Sequence, residues 1–410
     1  MSNISEQAAY RQPENLQGIL LVSLGLLSTM AVVLLAPAVP AMMEAFAGVH
    51  GAQQLVVFSL TCPALCVALL SPFAGMIIDR IGRRKLLIGS LIAYPVFGTA
   101  PLYLSNLTDI IISRLGVGVA ETVLMSASIT MLGDFFTDLE REKFLAMNTG
   151  IASLSATAFF AIGGALASHN WRMPYAVYAL AVVFLLAVLA FTWEPERHHS
   201  RRELDEAVMA AGPFPFFRLL AICVVTIAGG IVFMLPQIEI GVISAAHGFK
   251  SPATAGMIGA IGSVAMPVGA FTFNQLRKRN VKVQSLVVLA FVLGGAGLIT
   301  MAAMSTLPLL TLGMIIHEFG CGFMLTGLMT WVLGLLTYEY RGKGTGAYFS
   351  SFFIAQPISG FLFGVVQRAL GGSPLTAFYA FGGSAILVAV LLAIIQGMVS
   401  ADRSKAVNTI

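Results

Sequence analysis

Charged residues are scarce in this sequence. Lysine and arginine together number 23 and aspartate and glutamate 19, so only 10% of the 410 residues carry a charge. A soluble domain averages about 25% charged residues, which keep its surface in contact with water. The shortage excludes a cytosolic enzyme, and the 58% share of apolar residues excludes a disordered chain.

Cysteine is equally scarce, and its four positions are Cys62, Cys66, Cys223 and Cys321. So few cysteines, all in apolar runs, exclude a small secreted domain held together by disulfides. Cys62 and Cys66 lie one helical turn apart without a histidine or carboxylate beside them, so we interpret the cysteines as packing residues. No nucleotide-binding loop, zinc motif or nucleophile–base constellation occurs either. The sequence therefore predicts no cofactor, no metal site, no catalytic residue and no nucleic-acid partner.

Long apolar runs dominate the sequence instead. A helix needs about 20 mostly apolar residues to cross the roughly 30 Å hydrocarbon core of a membrane. Twelve such runs occur, in two groups of six separated by a polar stretch. They predict an all-α membrane protein with 12 transmembrane helices, divided into a tail at 1–17, a six-helix bundle at 18–193, a linker at 194–215, a second six-helix bundle at 216–400 and a tail at 401–410.

The basic residues predict the orientation in the membrane. When both termini are placed in the cytoplasm, the cytoplasmic segments hold 19 of the 23 lysines and arginines, leaving only Arg114, Arg172, Lys250 and Arg368 elsewhere. Cytoplasmic loops of membrane proteins carry such an excess of positive charge. The sequence therefore predicts a multi-pass protein of a bacterial inner membrane, with both tails and the linker in the cytoplasm.

The two halves of the chain resemble one another. Arg114-Leu-Gly-Val-Gly in span 4 matches Glu318-Phe-Gly-Cys-Gly in span 10, at an offset of 204 residues. The basic run that starts at Arg83 matches the one that starts at Arg277, at an offset of 194. Matches in the same order in both halves indicate an internal duplication, which predicts two pseudo-symmetric bundles around a central cavity.

The loop between spans 2 and 3 contains a specific motif, Gly75-Met-Ile-Ile-Asp79-Arg80-Ile-Gly82-Arg83-Arg84-Lys85. This stretch resembles the signature loop of the major facilitator superfamily, and the six-plus-six layout extends the resemblance to essentially the whole chain. The resemblance implies two bundles that rock about a central cavity and expose it to each side in turn. It also implies a cytoplasmic gate that is shut in the outward-facing state and is formed by Gly75, Asp79, Gly82, Arg83, Asp134, Gly344 and Gly346.

Two branches of that superfamily offer different expectations. Span 5 keeps Gly163 and Gly164 of the Gly-Pro-x-x-Gly-Gly signature of drug exporters but lacks its Gly-Pro. Arg114 and Glu121, spaced as Arg-x6-Glu, resemble span 4 of transporters of organic anions and lipids, in which the arginine contacts substrate and the glutamate couples to protons. Both expectations stay open at this point.

Ionisable groups inside a span are costly, and they are functional candidates for that reason. Arg114 and Glu121 lie seven residues apart in span 4, which places them on one helix face about 10 Å apart along the axis. Gly118, Met125 and Ser128 continue this face. A face of this composition does not suit lipid, so we expect it to line the cavity.

Three further ionisable groups lie inside spans, namely Glu239 in span 7 and His317 with Glu318 in span 10. With Arg114 and Glu121 they are our candidates for substrate binding and proton coupling. Glu239 alternatively reaches the membrane interface, and His317 is alternatively a packed residue. Further residues predicted to line the cavity are Phe233, Met324 and Gln356.

Together these features predict a secondary transporter that works by alternating access. The leading hypothesis is proton-coupled efflux of a small amphipathic or aromatic organic molecule. One alternative is proton-coupled uptake of an organic anion bound by Arg114, and a second is a membrane sensor that transports nothing. The expected partners are the substrate, protons and membrane lipid, and the expected assembly is a monomer.

Overall fold

The structure is a computed structural model that describes residues 13–136, 138–195, 214–336 and 340–408. The predicted N-terminal tail and most of the predicted linker lie outside these ranges. The described chain forms helices α1 (Asn15–Ala45), α2 (Ala52–Ile81), α3 (Arg83–Thr99), α4 (Leu107–Phe135), α5 (Asp138–Ala167), α6 (Met173–Phe191), α7 (Phe216–Ala246), α8 (Pro252–Lys278), α9 (Val283–Ala303), α10 (Leu307–Leu335), α11 (Arg341–Ala369) and α12 (Pro374–Asn408).

Most of these helices are long and apolar enough to cross a membrane. Eleven of the described helices meet both conditions. The remaining one, α5, is 30 residues long, and the apolar stretch among its described residues is Leu154–Ala167. Since α5 occupies the position predicted for span 5, the prediction of an all-helical membrane protein with 12 spans is confirmed.

The chain direction defines two ends of the molecule. Short connections make neighbouring helices antiparallel, so the start of α3 with Arg83 and Arg84 lies at the same end as the start of α1. The end of α8, with Arg277 and Lys278, belongs to this end as well, because α7 runs parallel to α1. We call it the basic end, and the other the opposite end.

The glycines of the repeated motif in α4 let this helix approach its neighbours α3 and α2 closely. A Cβ at Gly116 would lie 2.6 Å from the ring of Phe97 on α3. A Cβ at Gly118 would lie 2.7 Å from the backbone of Pro63 on α2. Gly118 therefore needs to be glycine for helix packing, as is common where helices associate within a membrane, whereas a Cβ at Gly116 would displace the ring of Phe97.

The matching residues of α10 make equivalent contacts in the second half. A Cβ at Gly320 would lie 2.8 Å from the backbone nitrogen of Gly294 on α9, and one at Gly322 would lie 2.6 Å from that of Ala270 on α8. Helices α9 and α8 are the counterparts of α3 and α2. The repeated sequence thus produces a repeated packing arrangement, in agreement with two pseudo-symmetric bundles.

The substitutions Gly322→Ala and Gly334→Ala form a matched pair on α10. A Cβ at Gly334 meets nothing within 4 Å, whereas one at Gly322 meets the backbone of α8. We expect Gly322→Ala to force α8 and α10 apart and to lower the melting temperature by several degrees. Gly334→Ala should preserve or raise it, because alanine is favoured over glycine in helices by about 1 kcal/mol. Thermal unfolding in detergent measures both variants, and equal midpoints would contradict the close approach.

Candidate functional site

A central cavity of about 270 Å³ lies between the two halves. Helices α1, α2, α4 and α5 of the first half and α7, α8 and α11 of the second contribute residues to its wall. Leu21 near the start of α1 and Leu132 near the end of α4 line it, so the cavity extends toward the basic end. A volume of this order suits a small organic molecule.

Most of the cavity wall is apolar and polarisable. Its larger side chains include Met125, Phe233, Met234, Met266 and Phe352. The rings of Phe233 on α7 and Phe352 on α11 meet edge to face, with centroids 5.2 Å apart. Methionine and aromatic side chains of this kind adapt to ligands of varied shape.

Among the described residues that line the cavity, Glu121 is the one ionisable group. Its side chain is 2% exposed, and its Oε2 atom has no hydrogen-bond partner in the described structure. The remaining polar groups of the wall are neutral hydroxyls and amides, those of Ser28, Thr29, Ser128, Gln237 and Gln356. An acidic group in an apolar cavity attracts cations and exchanges protons with a bound molecule or with water.

Arg114 lies behind the cavity wall, fully buried. Its Nε donates to the carbonyl oxygen of Ser59 at 3.3 Å and its Nη2 to that of Ala31 at 3.1 Å. The guanidinium also stacks over Tyr178, 4.9 Å from the ring centroid. Backbone carbonyls and an aromatic face thus stabilise the charge in the interior of the first bundle.

This position corrects the expectation that Arg114 faces the cavity with Glu121. The two residues do share a face of α4, but the cavity extends along that face only toward the basic end. At the level of Arg114 the same face packs against α1, α2 and α6. Sequence spacing predicts which residues share a face but not how far along it a cavity extends.

Some of the other residues predicted to line the cavity do so, and others are buried in contacts between helices. Met125, Ser128, Phe233 and Gln356 are in the cavity wall. Gly118 packs on α2, and the buried Met324 packs beside Gly229 of α7, so neither lines the cavity. Both lie where helices approach closely, which explains why a small residue and a flexible one occupy them.

The ionisable groups of α10 form a buried cluster in the second bundle. Glu318 is 1% exposed, and its Oε1 accepts a hydrogen bond of 3.5 Å from Nε2 of the cavity residue Gln237. The two ring nitrogens of His317 contact the carbonyl oxygen of Gly294 at 3.1 Å and the Sγ of Cys321 at 3.2 Å. His317 and Glu318 therefore lie one layer behind the cavity.

Glu239 on α7 is also fully buried. Neither of its carboxylate oxygens has a hydrogen-bond partner among the described residues. The alternative in which Glu239 reaches the membrane interface does not agree with this burial. It remains a candidate for proton binding inside the second bundle.

Charged groups at the basic end join several elements of the first half. The Nε of Arg83 lies 2.6 Å from Oδ2 of Asp134, linking the start of α3 to the end of α4. The carboxylate of Glu194 accepts from the backbone N–H groups of Arg83 at 2.6 Å and Arg84 at 3.1 Å. These N–H groups open α3 and have no partner within the helix, so Glu194 caps it and complements its dipole.

Glu194 is a residue of this site that the sequence did not predict. The available signal was a carboxylate at the end of span 6, at the same membrane face as the motif. Gly82, in a conformation with φ of 113°, brings the chain over this carboxylate, and a Cβ there would lie 3.0 Å from its Oε1. The glycine of the motif therefore permits the cap.

The predicted gate glycines of the two halves make no contact with each other in the described part of the chain. A Cβ at Gly75 of α2 or at Gly346 of α11 would meet no described atom within 4 Å. Gly344 packs against Leu336 of its own half, and the side chain of Asp79 lies outside the described residues. The gate contacts expected of a shut cavity are thus not formed between the described glycines.

At the opposite end, by contrast, the halves are in direct contact. Gln53 of α2 donates to the side chain of Gln367 of α11 at 2.8 Å. A Cβ at Gly164 of α5 would lie 2.9 Å from the Cα of Gly256 on α8. Within the ranges that the structure describes, contacts between the halves therefore close the cavity at the opposite end, and the cavity extends from there toward the basic end.

Comparison with known proteins agrees with this architecture. A family model described as Major Facilitator Superfamily matches residues 21–360. The chain belongs to the Major Facilitator Superfamily. The crystal structure of a D-xylose-proton symporter has the same fold, with a TM-score of 0.72 at 14% identity, over 92% of this chain and 96% of the other.

The chain is similar to two named transport proteins over part of its length. It is 27% identical to Multidrug resistance protein 1 of Bacillus subtilis (strain 168) over 177 residues, which is 42% of this chain and 43% of that protein. It is 25% identical to the 4-hydroxybenzoate transporter PcaK of Pseudomonas putida over 133 residues, 30% of this chain and 28% of that protein. The chain thus matches less than half the length of either relative.

Glu194→Ala tests the cap on α3, and Glu44→Ala is its control, since Glu44 is an exposed carboxylate at the end of α1. We expect Glu194→Ala to destabilise the first turn of α3 by about 1 kcal/mol, the usual cost of removing a helix cap. The amides of Arg83 and Arg84 should then exchange with deuterium severalfold faster. Glu44→Ala should leave this exchange unchanged, and unchanged exchange in both variants would contradict the cap.

Proposed function

We propose that this transporter exports small amphipathic or aromatic molecules, neutral or cationic, in exchange for protons. The observation that carries the proposal is the cavity wall, in which Glu121 is the one ionisable group among the described lining residues and is surrounded by methionine and phenylalanine. The apolar side chains of such a wall bind the apolar surface of a ligand, and the carboxylate of Glu121 attracts a positive charge on it. The similarity to a multidrug resistance protein supports the same class of substrate.

Glu121 supplies a simple means of coupling. When the cavity is open to the cytoplasm, the ionised carboxylate favours a cationic or hydrogen-bonding substrate. After the cavity opens to the other side, a proton binds the same oxygen and weakens the hold on the substrate. The protonated, neutral carboxyl group then returns at little cost through the apolar interior and releases its proton to the cytoplasm.

Uptake of an organic anion is less well supported. An anionic substrate requires a cation or several N–H donors in the cavity, and the described lining residues include no cation. Arg114 is the nearest candidate by sequence, but it is not among the cavity-lining residues: its Nε and Nη2 donate to carbonyl groups and its guanidinium lies over Tyr178, which leaves Nη1 without a partner in the described structure. Uptake of 4-hydroxybenzoate by proteoliposomes, driven by a proton gradient, would favour this alternative.

We further propose the inner membrane as location, with the basic end in the cytoplasm and the monomer as the working unit. Positive charge at one end follows the rule for cytoplasmic loops. In that orientation the structure represents an inward-facing state, open to the cytoplasm. The two halves of a membrane sensor that transports nothing would not have to separate. A transporter must break the contacts between its halves, so this requirement distinguishes the two hypotheses.

Glu121→Gln keeps the size of the side chain but cannot exchange a proton. In proteoliposomes with an imposed pH gradient, we expect the variant to lose proton-driven transport of ethidium, an aromatic cation, by at least about tenfold. Binding of a neutral aromatic compound should change little, since the apolar wall is intact.

Ser128→Ala is the matched control on the same wall of α4, because it removes a polar group that carries no proton to exchange. It should transport ethidium at close to the wild-type rate. Full proton-driven transport by Glu121→Gln would overturn the role of Glu121.

A cross-link between the halves tests alternating access. The hydroxyl groups of Thr157 on α5 and Ser263 on α8 lie 2.8 Å apart. Thr157→Cys combined with Ser263→Cys therefore places two thiols within bonding reach. We expect oxidation of the double variant to stop transport and reductant to restore it, because α5 and α8 belong to different halves and must separate when the cavity opens at the opposite end. Undiminished transport by the oxidised, cross-linked protein would contradict the rocking of the halves.

A further inference from the structure

Three chemically different metal ligands meet on one stretch of α10. The ligand atoms of His317, Glu318 and Cys321 all lie within 4.8 Å of one another, and the three side chains are at most 1% exposed. Nitrogen, oxygen and sulfur atoms of these residue types are the ones that bind zinc and similar divalent transition metals. In a tetrahedral zinc site the ligand atoms stand about 3 to 4 Å apart, so the most widely separated atoms of this cluster would move closer together when a metal binds.

The hydrogen bonds of His317 orient it as metal-binding histidines are oriented. Its Nδ1 lies 3.1 Å from the carbonyl oxygen of Gly294, an acceptor, so Nδ1 carries the proton. In the neutral ring Nε2 is then the unprotonated nitrogen, and it lies 3.2 Å from the Sγ of Cys321. Metal-bound histidines typically donate their other ring N–H to a carbonyl or carboxylate in this manner, which holds the ring in position.

The carboxylate of Glu318 supplies the second, independent observation. Its Oε2 is buried and has no hydrogen-bond partner in the described structure, while Oε1 accepts only a long bond of 3.5 Å from Gln237. A buried polar atom without a partner is costly, and an ion is one explanation for it. Gln237 lines the cavity, so the cluster is one side chain away from a route of entry.

We propose that His317, Glu318 and Cys321 form a binding site for a divalent transition metal of the zinc type, behind the wall of the central cavity. The three residues supply one nitrogen, one oxygen and one sulfur ligand, and Gln237 or water completes the coordination on the cavity side. Bound metal would bridge α10 to the cavity residue on α7. This proposal departs from the sequence prediction of no metal site, and it does not depend on the function of Glu121.

The sequence did contain a signal for this site, as His-Glu-x-x-Cys at positions 317 to 321. Residues four apart on a helix share a face, which pairs His317 with Cys321. The intervening Glu318 lies about 100° round the helix, so its participation depends on the side-chain direction that only the packing reveals.

Calorimetric titration with zinc chloride tests the proposal directly. We expect the metal-free, purified full-length protein in detergent to bind one zinc ion per chain, with magnesium giving no binding. Cys321→Ala should weaken the zinc affinity by about 100-fold, since even loss of a residue that only orients a ligand costs about 10- to 100-fold. Cys223→Ala is the control, because Cys223 is a free thiol on α7 outside the cluster.

A second measurement keeps the proposal open to refutation should Cys321→Ala fail to fold. A variant that retains Cys321 but has alanine at the other three cysteines should show the ultraviolet charge-transfer band of a cadmium–thiolate bond with one equivalent of cadmium. Absence of this band would overturn the proposal. So would a wild-type protein that binds no zinc, or a folded Cys321→Ala that binds zinc as tightly as wild type; the cluster would then be a hydrogen-bonded packing arrangement.

Discussion

Exclusion of ionisable groups from lipid is the constraint on which the rest of this structure depends. An uncompensated charge in hydrocarbon costs several kcal/mol, so a membrane protein places such groups inside its bundles or against a water-filled cavity. Arg114, Glu121, Glu239, His317 and Glu318 are all between 0% and 2% exposed. The helices enclose these groups in different surroundings. Arg114 contacts carbonyl groups and an aromatic ring, whereas Glu121 lines the cavity.

Close helix contacts make that enclosure possible. Lipid tails are as apolar as leucine, so helices in a membrane associate through tight packing rather than through the hydrophobic effect. Glycines at equivalent places on α4 and α10 allow it, and the same contacts recur in both bundles. Glycines also bring the two bundles together at the opposite end, where Gly164 meets Gly256, and a polar contact between Gln53 and Gln367 joins them there as well.

The positions of individual residues show where sequence reasoning succeeded and where it stopped. Residues spaced by helical turns on α4 were expected on one face, and Met125 and Ser128 of that face are in the cavity wall. Arg114 belongs to the same face but is buried, because the cavity is bounded by other helices at that depth. Glu194 and Cys321 were not identified, because their partners are distant in sequence or lie across a helix turn. Periodicity describes one helix at a time and carries no information on its neighbours.

The sequence by itself determined that the protein lies in a membrane, how many spans it has and that its halves are related. These properties follow from composition, from the length of the apolar runs and from the repeated motifs, whatever the packing of the helices. It also limited the ionisable groups available inside the membrane to a handful. Only the tertiary structure decided that the cavity reaches Glu121 but not Arg114, and that His317, Glu318 and Cys321 meet. Those outcomes depend on contacts between helices far apart in the chain, and a side chain's partners are set by the space that neighbouring helices leave to it.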